Sequence, residues 1–114
     1  MKLKDIATLL EADVLAGADL LDIDIGTAVA SDGMSEILAA PHPGALMITG
    51  LINIQSIRTA EMADLPAVLY VRGKRPNDRC VELAAAKRIA VLATRLGMFD
   101  VCGLLRERGV RGGM

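Results

Sequence analysis

Residues 45–75 read ALMITGLINIQSIRTAEMADLPAVLYVRGKR, and this stretch decides the fold. An apolar run, Ala45–Thr49, is followed after a glycine by Asn53, a residue type that caps helices. Residues 53–63 place their apolar side chains on one helical arc, and Ala67–Val71 is a second apolar run. The pattern predicts a strand, a helix and a second strand, and continuous apolar strands are typical of a sheet covered on both faces.

The rest of the chain extends this unit in both directions. From residue 45 onward the predicted order is β-α-β-α-β-α with short connections, so we expect parallel strands and right-handed crossovers. The remaining predicted elements are a helix over 2–11, strands over 13–16 and 25–30, a helix from a Ser31 or Asp32 cap to Ala40, a helix from Pro76 to Arg88, a strand over 89–93, and a helix from a Thr94 cap to Arg108. We therefore predict an α/β fold, a mostly parallel sheet with flanking helices that leaves room for one non-parallel strand.

Length and composition indicate one domain over residues 1–109 and a flexible tail over residues 110–114. The formal net charge is -1 and aromatic residues make up 2% of the chain, so neither a basic field nor a stacking surface is available for nucleic acid. The mean hydropathy is +0.42, which favours a homodimer in which a second copy covers apolar surface.

The sequence favours a cytoplasmic protein that does not span a membrane. Residues 37–57 carry no charged side chain, but Pro41, Pro43 and Gly44 interrupt this segment and would leave backbone groups unpaired in a bilayer. No signal peptide is evident, and two cysteines fit a reducing compartment. Cys80, Cys102 and a lone histidine form neither a zinc site nor an iron–sulfur site, so we predict no metal and no cofactor.

The turns that follow the predicted strands are rich in glycine, hydroxyl groups and basic side chains. Ligands of open α/β sheets bind at the carboxyl ends of the strands, where helix amino termini also offer free amides. Arg75 adds a further positive charge to this edge. We predict a site for a small anionic ligand, such as a nucleotide or a phosphate ester, built from Ser31, Asp32, Thr49, Gly50, Asn53, Arg72, Gly73, Lys74, Thr94 and Arg95.

Two alternatives stay open for these residues. Short βα loops require glycines and caps in any case, and exposed arginines and lysines can simply be solvated. An enzyme would need several of these polar groups in one pocket around an acid with a perturbed pKa, drawn from Asp32, Thr49, Asn53, Arg58 and Lys74. Neither a phosphate-binding G-x-x-x-x-G-K-[ST] motif nor paired carboxylates are present, so we predict no catalytic residue and no enzymatic activity.

Three segments taken together resemble the DRTGG-domain proteins of bacteria, a family related in fold to the N-terminal domain of HPr kinase/phosphorylase. The segments are ASDGMSEIL at residues 30–38, residues 46–76, and LATRLGMFDVCGLL at residues 92–105. The resemblance extends from Leu3 to about Gly109. The literal Asp-Arg-Thr-Gly-Gly string is absent, and its nearest counterpart is Val71-Arg72-Gly73-Lys74.

The resemblance implies an α/β fold like that of the HPr kinase N-terminal domain and a homodimer. In larger proteins such domains accompany CBS pairs or phosphotransacetylase and act as regulatory modules. The kinase activity of HPr kinase belongs to a separate P-loop domain, which this chain lacks. The leading hypothesis is therefore a non-enzymatic, ligand-sensing dimer, and the alternative is an accessory module that docks on a hydrogenase-type redox enzyme or a signalling protein.

Overall fold

Four neighbouring parallel strands form the centre of the fold. The computed structural model describes residues 1–114. Its strands are Asp13–Ala16 (β1), Thr27–Ala30 (β2), Leu46–Thr49 (β3), Ala67–Tyr70 (β4), Ala90–Ala93 (β5) and Arg111–Gly112 (β6). They form one six-stranded sheet in the order β1-β5-β4-β3-β2-β6. All pairings are parallel except that β1 runs antiparallel to β5. The structure therefore confirms the predicted α/β fold with a mostly parallel sheet.

Helices cover both faces of the sheet. They are Leu3–Leu9 (α1), Met34–Ala39 (α2), Ile54–Met62 (α3), Asp78–Ala86 (α4) and Met98–Glu107 (α5), with a short 3-10 helix at Ala18–Leu20. Two clusters of 14 buried residues each fill the two layers. One cluster joins the sheet to α1 and α5, and the other joins it to α2, α3 and α4. None of the helices has both the length and the apolar character needed to cross a bilayer.

The apolar runs of the central strands are continuous because each strand feeds both layers. In β3, Leu46 and Ile48 point to the α1 and α5 side, whereas Met47 points to the side of α2 to α4. In β4, Leu69 points to the α1 and α5 side, and Val68 points to the side of α2 to α4. Every residue of β3, β4 and β5 is buried, so neither face of these strands meets water.

Three predicted helix starts are wrong, while the predicted Asn53 cap of α3 is confirmed. The last helix begins at Met98 after a Gly97 cap. The Thr94 hydroxyl lies outside this helix, where it accepts the amide of Leu96 at 3.3 Å and donates to the carbonyl of Leu10 at 2.7 Å. The preceding helix begins at Asp78 after an Asn77 cap, and not at Pro76. The cap of α2 is Gly33, which makes no side-chain capping bond.

The residues predicted as a flexible tail, 110–114, include a short strand of the sheet. Residues Arg111–Gly112 form β6, a parallel edge strand beside β2. The amides of Arg111 and Gly113 donate to the carbonyls of Gly26 and Ala28, and Val110 is buried. A strand of two residues, one of them glycine, carries too little periodicity to be recognised from sequence.

A buried hydrogen bond ties α3 to the sheet. Tyr70 is fully buried, and its hydroxyl lies 2.6 Å from Ser56 Oγ. The Ser56 hydroxyl itself donates to the carbonyl of Asn53 at 2.7 Å, so the tyrosine is the donor of the shared bond. Burial raises the pKa of Tyr70 to about 12 from the ordinary value of 10.0.

We expect Tyr70→Phe to change stability in opposite directions at neutral and at high pH. Near pH 8 the variant should be about 1 kcal/mol less stable because a buried hydrogen bond is lost. Between pH 10 and 12 the unfolded tyrosine ionises before the folded one, so the wild type alone loses roughly 2–3 kcal/mol. Urea denaturation of both proteins from pH 8 to 12 measures the difference, and a gap independent of pH would contradict this account.

Candidate functional site

The carboxyl edge of the sheet gathers the loops that follow four adjacent strands. Strands β2, β3, β4 and β5 lie side by side in reverse chain order, so the loops after them line one edge. Because β1 is antiparallel, the segment that enters it joins the same edge, and Asp13 pairs with Ala93. This arrangement places most of the predicted site residues within one rim.

Asp32 is the centre of the first part of the rim. Its Oδ1 accepts hydrogen bonds from the amide of Gly50 at 2.7 Å and from the hydroxyl of Thr49 at 3.0 Å. Its Oδ2 lies 3.6 Å from Nη2 of Arg72. One carboxylate therefore joins the loops after β2, β3 and β4.

The Arg72 side chain reaches Asp32 across Gly50. A Cβ atom at position 50 would overlap the Arg72 guanidinium, so glycine is what allows the arginine to lie there. The Arg72 backbone is in the left-handed region, with φ at 63°, and Gly73 follows at 72°. Their amides donate to the carbonyls of Leu96 and Thr94, at 2.8 and 3.0 Å, and so fix the β4 loop against the β5 loop.

The Asp32 carboxylate is held in its ionised form. The Gly50 amide lowers the pKa of Asp32 below 3.8, the Thr49 hydroxyl and Arg72 act in the same direction, and partial burial opposes them. Since folding lowers this pKa, the ionised Asp32 stabilises the folded protein above pH 3.8. This contribution to the free energy of unfolding is lost as the pH falls through the pKa of Asp32 in the folded state. A carboxylate with a lowered pKa is poorly suited to donate a proton near neutral pH.

Several other predicted residues use their polar atoms to build the loops. Ser31 Oγ accepts from the amide of Gly33 at 2.9 Å, and Asn53 Oδ1 accepts from the amide of Gln55 at 3.1 Å. Thr49 and Thr94 are buried, and each accepts the amide two residues further along the chain. These four side chains shape the rim rather than present free groups to a ligand.

The second part of the rim is a groove at the point where the sheet reverses its winding. The chain leaves β4 for α4 on one face and leaves β5 for α5 on the other face. Ligands of open α/β sheets bind in the crevice that such a reversal creates. A cavity of about 530 Å³ lies at this position, and we call it the rim groove; it is lined by Leu10, Glu11, Asp13, Gly73, Arg75, Ala93, Thr94, Arg95 and Leu96.

The rim groove contains charges of both signs. Arg75 pairs with Asp13 at 2.7 Å, whereas Arg95 has no acidic partner within ion-pair distance. Lys74, beside the groove, is also exposed and unpaired. Glu11 and Asp13 were not predicted as site residues, because only the antiparallel pairing of β1 brings them to this edge.

The structure is an α/β domain with a mostly parallel sheet whose strand-end loops form one rim. The DRTGG domain family matches residues 5–107, so the chain belongs to that family, as its sequence segments indicated. No curated protein matches the chain.

A solved structure with a similar fold contains the CBS and DRTGG domains of the regulatory region of Clostridium perfringens pyrophosphatase, complexed with the activator diadenosine tetraphosphate. The TM-score is 0.76 and the sequence identity is 18%. The match covers 91% of this chain and 45% of that chain, so this chain spans less than half the length of the related chain.

We expect Asp32→Ala to destabilise the protein by about 0.5–1.5 kcal/mol, because the Gly50 amide and the Thr49 hydroxyl lose their common acceptor. Asp32→Asn should cost less, since an amide oxygen can still accept both bonds. Urea denaturation at pH 7 measures the two variants against the wild type. Equal losses in the two variants would show that the charge, and not the two hydrogen bonds, joins the loops.

Proposed function

We propose that this chain is a non-catalytic regulatory domain that senses a small anionic ligand, a nucleotide in the first place, at the rim groove. The observation that carries the proposal is the groove itself, which lies at the winding reversal between β4 and β5. Its volume of about 530 Å³ falls within the range typical of small-molecule sites.

One unpaired cation lines this groove, and two further cations lie on the adjoining loop after β4. Arg95 lines it, Lys74 and Arg72 lie on the adjoining loop, and none of the three is buried. Arg72 has only the weak contact to Asp32 at 3.6 Å, so a phosphate could compete for its guanidinium. An arginine can bind two phosphate oxygens at once, which gives this group both affinity and orientation.

The acidic residues of the groove favour a nucleotide over inorganic phosphate. Glu11 lines the groove and has no cationic partner. Carboxylates in α/β nucleotide sites accept hydrogen bonds from ribose hydroxyls, and a simple phosphate has no such group to offer. The diadenosine tetraphosphate bound to the related pyrophosphatase region supports the same ligand class.

The non-catalytic part of the proposal follows from the chemistry of the rim. The one carboxylate with several contacts, Asp32, has a lowered pKa and is occupied by the Gly50 amide. Thr49, its neighbour, is buried and hydrogen-bonded. We infer that binding, rather than bond breaking, is the function of this edge, in a cytoplasmic setting that keeps both free cysteines reduced.

We also propose that the chain forms a homodimer, and this part of the proposal rests on the family resemblance. The mean hydropathy adds nothing to it, because the apolar residues fill two interior layers. The accessible surface of 5910 Å² is close to the ~6000 Å² of a typical monomer of 12.0 kDa. A monomeric mass in light scattering across the micromolar range would reject the proposed homodimer, and it would not bear on the proposed ligand site.

The test is a thermal-shift and calorimetric titration of the purified chain with ATP, diadenosine tetraphosphate and inorganic phosphate. A ligand at a hundred times its Kd should stabilise the folded protein by about 2.7 kcal/mol. We expect the nucleotides to bind, and Arg95→Ala and Arg72→Ala each to weaken them about tenfold or more. Glu11→Gln should weaken nucleotides selectively.

Arg108→Ala is the matched control, since Arg108 follows the last turn of α5, at the opposite edge of the sheet, and should leave binding unchanged. Binding that survives both rim substitutions would place the ligand elsewhere. No binding of any of the three probes would reject the nucleotide-sensing proposal.

A further inference from the structure

A second groove lies between α5 and the edge formed by β2 and β6, and it shares no lining residue with the rim groove. Its volume is about 480 Å³, and we call it the α5 groove. Its floor is apolar, with Val29, Ile48, Leu105 and Val110 among the lining residues. Nothing in the rim proposal uses this surface, so it needs its own explanation.

One side of the α5 groove is an uncovered helix face. Val101 and Leu105 turn into the core, whereas Phe99, Gly103 and Arg106 share the opposite face of α5. Phe99 is 89% exposed, although burial of a phenylalanine is strongly favourable. Met114, across the groove, is 56% exposed.

Gly103 is unexplained by the packing of the chain itself. A Cβ atom at this position would meet no atom within 4 Å, and the backbone is ordinary helix. Glycine is among the least favourable residues in a helix interior. Its absence of a side chain leaves the middle of the α5 groove open, and a partner backbone could approach the helix closely there.

The charged side chains that line the α5 groove have a single sign. Arg106 and Arg111 both line it, and neither has an acidic partner within ion-pair distance. No acidic residue lines the groove; the acids of α5, Asp100 and Glu107, are not among its lining residues. Two unpaired positive side chains therefore border an apolar floor, a combination that favours a partner surface with both acidic and apolar groups.

We propose that the α5 groove binds an acidic amphipathic helix of a partner protein. Apolar side chains of that helix would cover Phe99 and the groove floor, and its carboxylates would pair with Arg106 and Arg111. Helix-in-groove recognition of this kind uses apolar anchors at positions i, i+3, i+4 and i+7. Phenylalanine, methionine and arginine are also the residue types enriched in protein interfaces.

A small amphiphilic molecule fits this surface less well. Small-molecule sites bury most of the ligand surface, whereas the α5 groove is open and its aromatic residue projects almost entirely into solvent. A helix laid along α5 would cover Phe99 and extend over both arginines. Burial raises the pKa of the Cys102 thiol, so this lining group contributes as a neutral, weakly polar contact.

The experiment is selection of peptides from a random display library on the folded chain. We expect the enriched peptides to combine helical apolar spacing with aspartate or glutamate. The best peptide, labelled and measured by fluorescence polarisation, should bind at least tenfold more weakly to Phe99→Ala and to the Arg106→Glu/Arg111→Glu double variant. Binding should also weaken as salt rises.

Gly103→Leu provides a second variant, which places a bulky side chain at the middle of the groove. The fold should tolerate it, because a Cβ atom at this position meets no atom within 4 Å. It should abolish peptide binding and leave the thermal midpoint no lower than that of the wild type. Arg72→Ala, at the rim, should bind the peptide as the wild type does. A peptide in which lysine replaces the acids should bind the double variant better than the wild type.

Three results would overturn the proposal. The first is enrichment of peptides without acidic residues, and the second is binding that survives both Phe99→Ala and Gly103→Leu. The third is sedimentation showing that the wild type self-associates whereas Phe99→Ala is monomeric, because a second copy would then be the occupant. Each result is independent of nucleotide binding at the rim groove.

Discussion

Backbone pairing of four short parallel strands is the constraint on which the rest of the structure depends. Each of β2, β3, β4 and β5 has four residues, so the sheet offers few hydrogen bonds per strand and must be closed on both faces by helices. Three successive crossovers place α2, α3 and α4 on one face, and α5 then has to return over the other. That reversal opens the crevice beside Arg95, and it also leaves one face of α5 uncovered at the far edge.

The fold was predictable where one signal dominated and not where two competed. The apolar runs of β3, β4 and β5 and the Asn53 cap were visible because burial and capping each leave a local pattern. The Thr94 hydroxyl looked like a cap, but its bond to Leu10 connects positions distant in the chain. The strand β6 could not be predicted for a similar reason, since it is defined only by its backbone pairing with β2, which is distant in the chain.

The residues of the candidate site also differ in whether the sequence could predict them. Arg72, Lys74 and Arg95 could be anticipated because strand ends gather at one edge of a parallel sheet. Glu11 and Asp13 could not, because they belong to an antiparallel strand whose place beside β5 is a tertiary property. The contacts of Asp32 were likewise hidden, because they join loops that are separated by whole helices. The sequence predicted that polar side chains gather at the carboxyl edge of the sheet. The structure distinguished the side chains that hydrogen-bond within the loops from those that have no partner.

The apposition of Gly50 and Arg72 has a consequence for sequence variation. The two positions lie in different loops, yet the arginine can occupy its place only while position 50 has no side chain. A relative with alanine or a larger residue at position 50 would need a shorter residue at position 72, or an arginine turned away from the carboxylate. These two positions should therefore vary together among DRTGG domains that keep an aspartate at position 32, and glycine with arginine would mark the members that share this form of the rim.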